Sequence, residues 1–371
     1  MLIGVPKEIK NNEYRVGLIP SSVRELVEHG HEVVVERGAG TKIGFDDASY
    51  RLVGARIVET AAEVFQAADM IIKVKEPQHN ECQMLRENQV LFTYLHLAPD
   101  PEQARLLQAA GCIAIAYETV TDRHGGLPLL APMSEVAGRM AVQAGATSLE
   151  VSHGGSGILL GGVPGVAAAK VVILGGGVVG TNALRVAIGM GANVYVVDKS
   201  LERLKQLDFA YGSNITTVYS TIDAVEEHVL SADLVIGAVL IPGGSAPRLV
   251  SRPMLSRMRP GSVMVDVSID QGGCFETSHP TTHQDPTYVV DGVVHYCVTN
   301  MPGAVPRTST LALNHATLPF VLALANLGYK EALRRDMHLL NGLNVHQGHL
   351  THQAVARALQ QDYVPAETFL K

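Results

Sequence analysis

Two sets of residues in this chain combine types and spacings that could do chemistry. The first is Gly175-Gly176-Gly177-Val178-Val179-Gly180, a G-x-G-x-x-G run that follows the strand-like Lys170-Val171-Val172-Ile173-Leu174 and opens a helical pattern. Glycines at such a turn let the backbone reverse tightly and approach a pyrophosphate. The helix N-terminus behind them offers aligned N–H groups and a positive dipole end. Asp198 closes the next strand, about 20 residues on, where a carboxylate accepts hydrogen bonds from an adenosine ribose. A carboxylate there repels a 2′-phosphate and favours NAD over NADP, while Lys199 and Arg203 nearby pull the other way. A lone glycine run also occurs in ordinary α/β turns. Strand before, helix after and acid at this distance make it a dinucleotide signal.

The second set is Arg15, Lys75, His96 and Asp270. Lys75 ends the run Ala68 to Lys75 before Glu76-Pro77, His96 follows Val90 to Leu95, and Asp270 follows Ser262 to Ile269. Ligands of open α/β sheets bind beyond such C-terminal strand ends. Each residue keeps a plainer alternative. Lys75 is a ligand group or a solvated strand end, and His96, one of 15 histidines, is a general acid/base or structural. Asp270 faces the nicotinamide end of a cofactor or is a turn aspartate before Gly272-Gly273. Arg15 clamps a carboxylate through its fork or makes a surface salt bridge.

The elements that must position these groups repeat. A helical pattern at Val23 to Glu28 ends at Gly30, and strands follow at Glu32 to Glu36 and Ala68 to Pro77. A second helical pattern at Ala183 to Met190 ends at Gly191, with strands at Asn193 to Asp198 and Ala232 to Pro242. Strands alternating with helices imply βαβ units with right-handed crossovers. The expected fold is α/β: two doubly wound, Rossmann-like domains, each with its own parallel sheet, and a substrate cleft between them. Only the second copy has the fingerprint; the first reads Gly4-Val5-Pro6-Lys7-Glu8 and cannot cradle a pyrophosphate in the same way. Long helical patterns at Ser134 to Glu150 and Thr308 to Leu327, the latter interrupted at Pro319, could link the domains. Further patterns at Lys330 to Leu340 and Thr351 to Asp362 show no strand between them, and are expected to pack on the first domain or on another subunit. The boundaries are 1–128 with 306–371 for a discontinuous substrate domain, and 129–305 for the NAD-binding domain.

Composition narrows the partners. With 18% charged and 47% hydrophobic residues the chain is not a disordered one. A net charge of −7 without a basic stripe disfavours nucleic acid. The charge-free stretch Val151 to Ala169 is broken by Gly, Pro, Ser and His, so no membrane association is expected. No signal-like order opens the chain, and Cys82, Cys112, Cys274 and Cys297 lack metal-like spacing, so no metal is expected. Four scattered thiols fit a reducing cytoplasm.

Three stretches carry a resemblance that spans the chain. Gly4 to Glu8 with Asn12-Glu13-Tyr14-Arg15-Val16 and Pro20 resembles the N-terminal signature of the alanine dehydrogenase and nicotinamide nucleotide transhydrogenase family. Leu159 to Gly180 resembles its nucleotide-site signature, and His295 to Leu313 stands on the dehydrogenase side. Gly17 and Ile19 depart from that pattern, which usually has Ala and a hydroxyl residue before Pro20. The resemblance implies that Arg15 and Lys75 hold the substrate carboxylate and carbonyl and that His96 and Asp270 are an acid/base pair. For the cofactor it implies Ser134, Gly175, Gly177, Val178, Val179, Gly180, Asp198, Arg203, Ser220, Val239, Leu240, Val267, Ser268, Ile269, Asp270, Val298, Asn300 and Met301. The implied reaction is the reversible NAD-dependent deamination of L-alanine to pyruvate and ammonium by a homohexamer. Alternatives are a transhydrogenase-type module that passes hydride to a partner, a dehydrogenase for another amino acid, and a relative that has lost activity.

Overall fold

The computed structural model describes residues 1–239 and 246–370. Two compact units make up the chain, Met1–Met133 with Val305–Lys371, and Ser134–Ala304. In the first, β1 (Leu2–Val5), β2 (Glu32–Glu36), β3 (Arg56–Val58), β4 (Met70–Ile72), β5 (Val90–Thr93) and β6 (Ile113–Ala116) stand in the order 3-2-1-4-5-6, each parallel to its neighbour. In the second, β7 (Lys170–Leu174), β8 (Asn193–Asp198), β9 (Ile215–Tyr219), β10 (Leu234–Gly237), β11 (Val263–Asp266), β12 (Thr287–Val290) and β13 (Val293–Tyr296) repeat that plan as 9-8-7-10-11-13. Here β12 pairs antiparallel on the outer edge of β13. Both units therefore have the doubly wound order, with a topological switch point between β1 and β4 and another between β7 and β10.

Why these runs are strands is visible in the core. Val171 and Ile173 of β7 pack into one apolar cluster, and Val172 and Leu174 into a second on the opposite face. A strand covered on both faces reads as an unbroken apolar run.

The structure departs from the sequence reading at several strand ends and in the C-terminal tract. The strands expected over Ala68 to Pro77, Val90 to Leu95 and Ser262 to Ile269 end early, at Ile72, Thr93 and Asp266. In each case a carboxylate takes N–H groups just beyond the last ladder residue: Glu8 from Val74 and Lys75, Glu118 from Leu95 and His96, Asp266 from Ser268. The segment after β11 becomes a 3-10 turn, Val267–Gln271. The strand expected over Ala232 to Pro242 is Leu234–Gly237, and its last residues, from Leu240, lie outside the described ones.

Pro319 does not interrupt its helix, which runs Pro306–Leu327. By length and composition that helix could cross a membrane. Yet it buries Ser309, Thr310, Asn314 and Thr317, and Asn314 bonds the Ile19 N–H and the Val16 and Gly17 carbonyls. Asn314 before the proline and Asn326 after it, which bonds His29 and His31, anchor the helix on both sides and offset the lost backbone bond.

The C-terminal tract is not purely helical. Strands β14 (Leu343–His346) and β15 (His349–Leu350) form a hairpin that adds β14 antiparallel to β6. Its two turn residues, Gln347 and Gly348, both have positive φ, at 45° and 89°. That geometry matches the twist of a two-residue hairpin, but Gln-Gly lacks the Asn or Asp that marks such turns in a sequence.

Candidate active site

The first unit gathers its candidate groups at its switch point. The loop after β1 carries Lys10, Glu13 and Arg15, with Asn12 at φ 58°. Gly17 lets this loop pass β4: a Cβ there would fall 2.4 Å from the Ile72 carbonyl oxygen. The loop after β4 carries Lys73, Val74 and Lys75.

Arg15 is only 2% exposed, so it makes no surface salt bridge. Its Nε donates to Glu13 Oε1 at 2.7 Å and its Nη2 to Glu13 Oε2 at 2.6 Å, while Nη1 lies 3.1 Å from the Met133 sulfur. The two-pronged edge of the fork is thus spent inside the protein. Glu13 resists burial because the Arg15 bonds and charge hold its carboxyl below the usual range. Although burial opposes the charge of Arg15, its bonds to Glu13 keep the guanidinium firmly protonated.

Lys75 is half-buried rather than a solvated strand end. Burial pushes its ammonium below the ordinary lysine value; Glu76 opposes this, and the like charges of Arg15 and Lys10 add to it. Arg15 and Lys75 therefore share one electrostatic field. His96, at φ 50°, has an exposed ring. Its N–H donates to Glu118 Oε1 at 2.6 Å, and its Nδ1 stands 3.9 Å from the same oxygen. The ring stacks on Tyr94 at 5.7 Å between centroids, and the charge of Arg15 acts on the Tyr94 hydroxyl, which donates to the Leu129 carbonyl. A left-handed non-glycine residue is strained and is kept where the surroundings fix it.

In the second unit the fingerprint turn has the local geometry that its glycines suggested. Gly175 sits at φ +104°, and a Cβ there would lie 2.8 Å from the Ala238 carbonyl oxygen. A Cβ on Gly180 would stand 1.8 Å from the Gly175 oxygen. One on Gly177 would meet nothing within 4 Å. The helix Val178–Gly189 starts at Gly177 with no side-chain cap on its first N–H groups. This is the cradle a pyrophosphate needs.

Asp198 Oδ2 accepts the Gly176 N–H at 2.7 Å and Oδ1 the Ser200 N–H at 2.8 Å. Arg203 is committed to the Gly176 carbonyl, Thr181 Oγ1 and Gln206 Oε1. Ser220 follows β9 and donates its N–H to the Asp198 carbonyl. Ser268 Oγ donates to the Val239 carbonyl at 2.6 Å, tying the loop after β10 to the turn holding Val267, Ile269 and the exposed Asp270.

Ser134 lies one turn before Gly138, on the helix face whose Gly138 meets the Val179 carbonyl, 2.2 Å from where a Cβ would be. Val178 is exposed, whereas Val179, Val298 and Met301 are core side chains that would offer a ligand mainly backbone. Asn300, at φ 60°, has its carbonyl held by His283 Nε2. Leu240 lies outside the described residues.

Sequence reasoning missed the supporting carboxylates Glu8, Glu13, Glu118 and Asp266. Asp266 is fully buried and accepts N–H groups of Ser268, Cys274 and Phe275 and the Ser278 hydroxyl, which fixes the turn that bears Asp270. Only Asp266 carried a signal, an acid closing the strand just before a candidate group; Glu8, Glu13 and Glu118 lie outside strands and carried none.

Residues 4–137 match the family described as alanine dehydrogenase/PNT, N-terminal domain, and residues 141–353 the alanine dehydrogenase/PNT, C-terminal domain. The chain is 60% identical to an alanine dehydrogenase of Halomonas elongata and 52% identical to one of Mycolicibacterium smegmatis, in both cases over all of each chain. A solved L-alanine dehydrogenase superposes with TM-score 0.95 at 54% identity, covering 97% of this chain and 99% of that one. A transhydrogenase from Sinorhizobium meliloti superposes at 0.84 with 27% identity, covering 94% and 100%.

Proposed function

The chain belongs to the alanine dehydrogenase/PNT family, and from that premise we infer that it is an NAD-dependent enzyme converting L-alanine, NAD and water reversibly to pyruvate, ammonium, NADH and a proton. The observation that carries this reading is the end-to-end 60% identity with an alanine dehydrogenase, against 27% with the transhydrogenase structure. Donor chemistry at the second switch point fits a dinucleotide: Gly177 leaves open space, the helix N–H groups that follow it have no side-chain cap, and Asp198 closes the next strand. Arg203 is spent on the turn itself, which supports NAD over NADP, because a 2′-phosphate would have to compete for its donors.

The bound nicotinamide supplies the hydride acceptor or donor. The chain's own residues do the rest. Lys75 stabilises negative charge developing on the substrate oxygen. Arg15, whose Nε–Nη2 edge belongs to Glu13, contributes a fixed positive charge to the substrate carboxylate rather than its whole fork. The exposed His96 ring moves protons to and from the attacking water and the carbinolamine. Asp270, on the turn Val267–Gln271, is the second acid/base candidate. The enzyme works as a homohexamer in the cytoplasm, which light scattering of the purified protein and fractionation of the cell would check.

The direct test is NADH formation from L-alanine and NAD at mildly alkaline pH, beside other amino acids and NADP. An alanine- and NAD-dependent signal that His96→Ala abolishes is expected. Failure to turn over alanine despite tight NADH binding would overturn the substrate.

A further inference from the structure

We propose that Glu8 is the positioning residue that sets Lys75, acting on its backbone without touching substrate. The proposal rests on the reading of Lys75 as a substrate-holding group. Glu8 is buried, and its Oε1 accepts two consecutive N–H groups, Val74 at 2.7 Å and Lys75 at 3.2 Å. Its Oε2 accepts Lys73 Nζ at 2.9 Å. The same ammonium bonds Glu81 Oε1 at 2.8 Å, and Glu81 Oε2 accepts the Gln78 N–H at 2.8 Å. On its other side, the Lys75 carbonyl accepts the Thr93 hydroxyl at 2.9 Å. Every backbone hydrogen-bonding group of Lys75 is thus held by a side chain.

A fully buried ammonium between two carboxylates is not a cheap way to fill a core, since apolar packing of equal volume is often as stable. What apolar packing cannot do is receive two adjacent N–H groups where the β4 ladder stops. An ionised carboxylate can: burial raises the Glu8 pKa, and the charge of Lys73 works against that rise, in favour of the ionised form. Glu8 also acts on the charge of Arg15, so it serves both candidate substrate groups from one place.

The test is steady-state amination of pyruvate by the full chain. Glu8→Gln keeps an oxygen but turns the second acceptor into a donor facing Lys73. It is expected to lower kcat/KM for pyruvate on the order of tenfold, mainly through KM, because a small displacement of a positioned group is costly. NADH affinity should be unchanged. Glu81→Gln is the control: the residue is as buried and shares Lys73, but bonds neither Val74 nor Lys75. It should lower Tm without raising the pyruvate KM. In a Lys75→Ala background, Glu8→Gln should cause no further loss of kcat/KM. Repetition of its full loss there would show that Glu8 acts independently of Lys75 and would overturn the proposal. A Lys75→Ala protein with ordinary kinetics would sink the reading of Lys75 and this proposal with it. Should the glutamine protein not fold, Glu8→Asp, which keeps the charge but withdraws the oxygens, must raise the pyruvate KM. An unchanged KM would count against Glu8.

Discussion

At the two switch points the same topology meets different turns. After β7, Gly175 adopts φ +104° beneath the Ala238 carbonyl, and the space beside Gly177 is open. After β1, Glu8 reaches across to the end of β4 and takes the N–H groups of Val74 and Lys75 with its own carboxylate. One turn leaves its backbone donors to an incoming anion, and the other brings the anion as a side chain. The strand order makes a crevice in both units, and the residues at the turn decide whether it receives a phosphate or becomes a rigid floor for a lysine.

If the floor exists to present Lys75, removing that amine should have the largest effect. Lys75→Ala is expected to lower kcat/KM for pyruvate on the order of 100-fold or more, the loss typical of one positioned electrostatic donor, while NADH binding persists. Turnover near that of the parent protein would remove Lys75 from the mechanism and leave the first switch point a purely structural device.

The open turn gives the complementary test. Gly177→Ala adds a methyl group that meets no protein atom within 4 Å, so Tm should hardly move. NADH should nevertheless bind about 10- to 100-fold more weakly, as expected when one or more charge-assisted bonds worth about 1.5–3 kcal/mol are lost. Unchanged affinity would mean that the pyrophosphate does not approach Gly177. Asp198→Arg should weaken NAD by roughly tenfold through the lost ribose and Gly176 contacts and narrow the gap to NADP. Unaltered NAD affinity, measured by titration, would show that Asp198 serves only the Gly176 N–H.

The contrast was half legible beforehand. Gly175 to Gly180 and Asp198 announce their task because a backbone-mediated site needs particular residues at fixed spacing. Strands β7 and β8 have the predicted limits because their apolar runs are bounded by glycine or polar residues. Glu8, Glu13 and Glu118 gave no such sign, since an acid in a loop has no periodicity and its partners are distant in the chain: Glu8 meets Lys73 across 65 residues. The same blindness lengthened the expected strands. The runs continue past Ile72 as Lys73-Val74-Lys75 and past Thr93 as Tyr94-Leu95, and carboxylates from distant positions take the N–H groups where the ladders stop. The hairpin Leu343–Leu350 was hidden because it is short and turns on Gln347-Gly348.

The smallest expected effect concerns pH and asks whether the lysine on its floor titrates as a substrate group. Burial lowers the Lys75 pKa below 10.5, with Glu76 opposing and Arg15 and Lys10 reinforcing the shift. Only the protonated amine attracts the substrate oxygen, so the pyruvate KM should begin to rise at a pH below the ordinary lysine value. Folding responds with the opposite sign. A lysine whose folded pKa lies below its unfolded one costs stability while protonated, and that cost is relieved as pH rises from the folded to the unfolded value. The contribution of Lys75 to Tm should therefore improve over the interval in which pyruvate binding deteriorates, which separates titration of the site from alkaline unfolding. Glu76→Gln removes the carboxylate that supports the charged amine, and should move the KM limb further toward neutral pH. A limb that stays in place in Glu76→Gln and vanishes only in another variant would assign the titration to a different group, and the likeness between the two switch points would end at their topology.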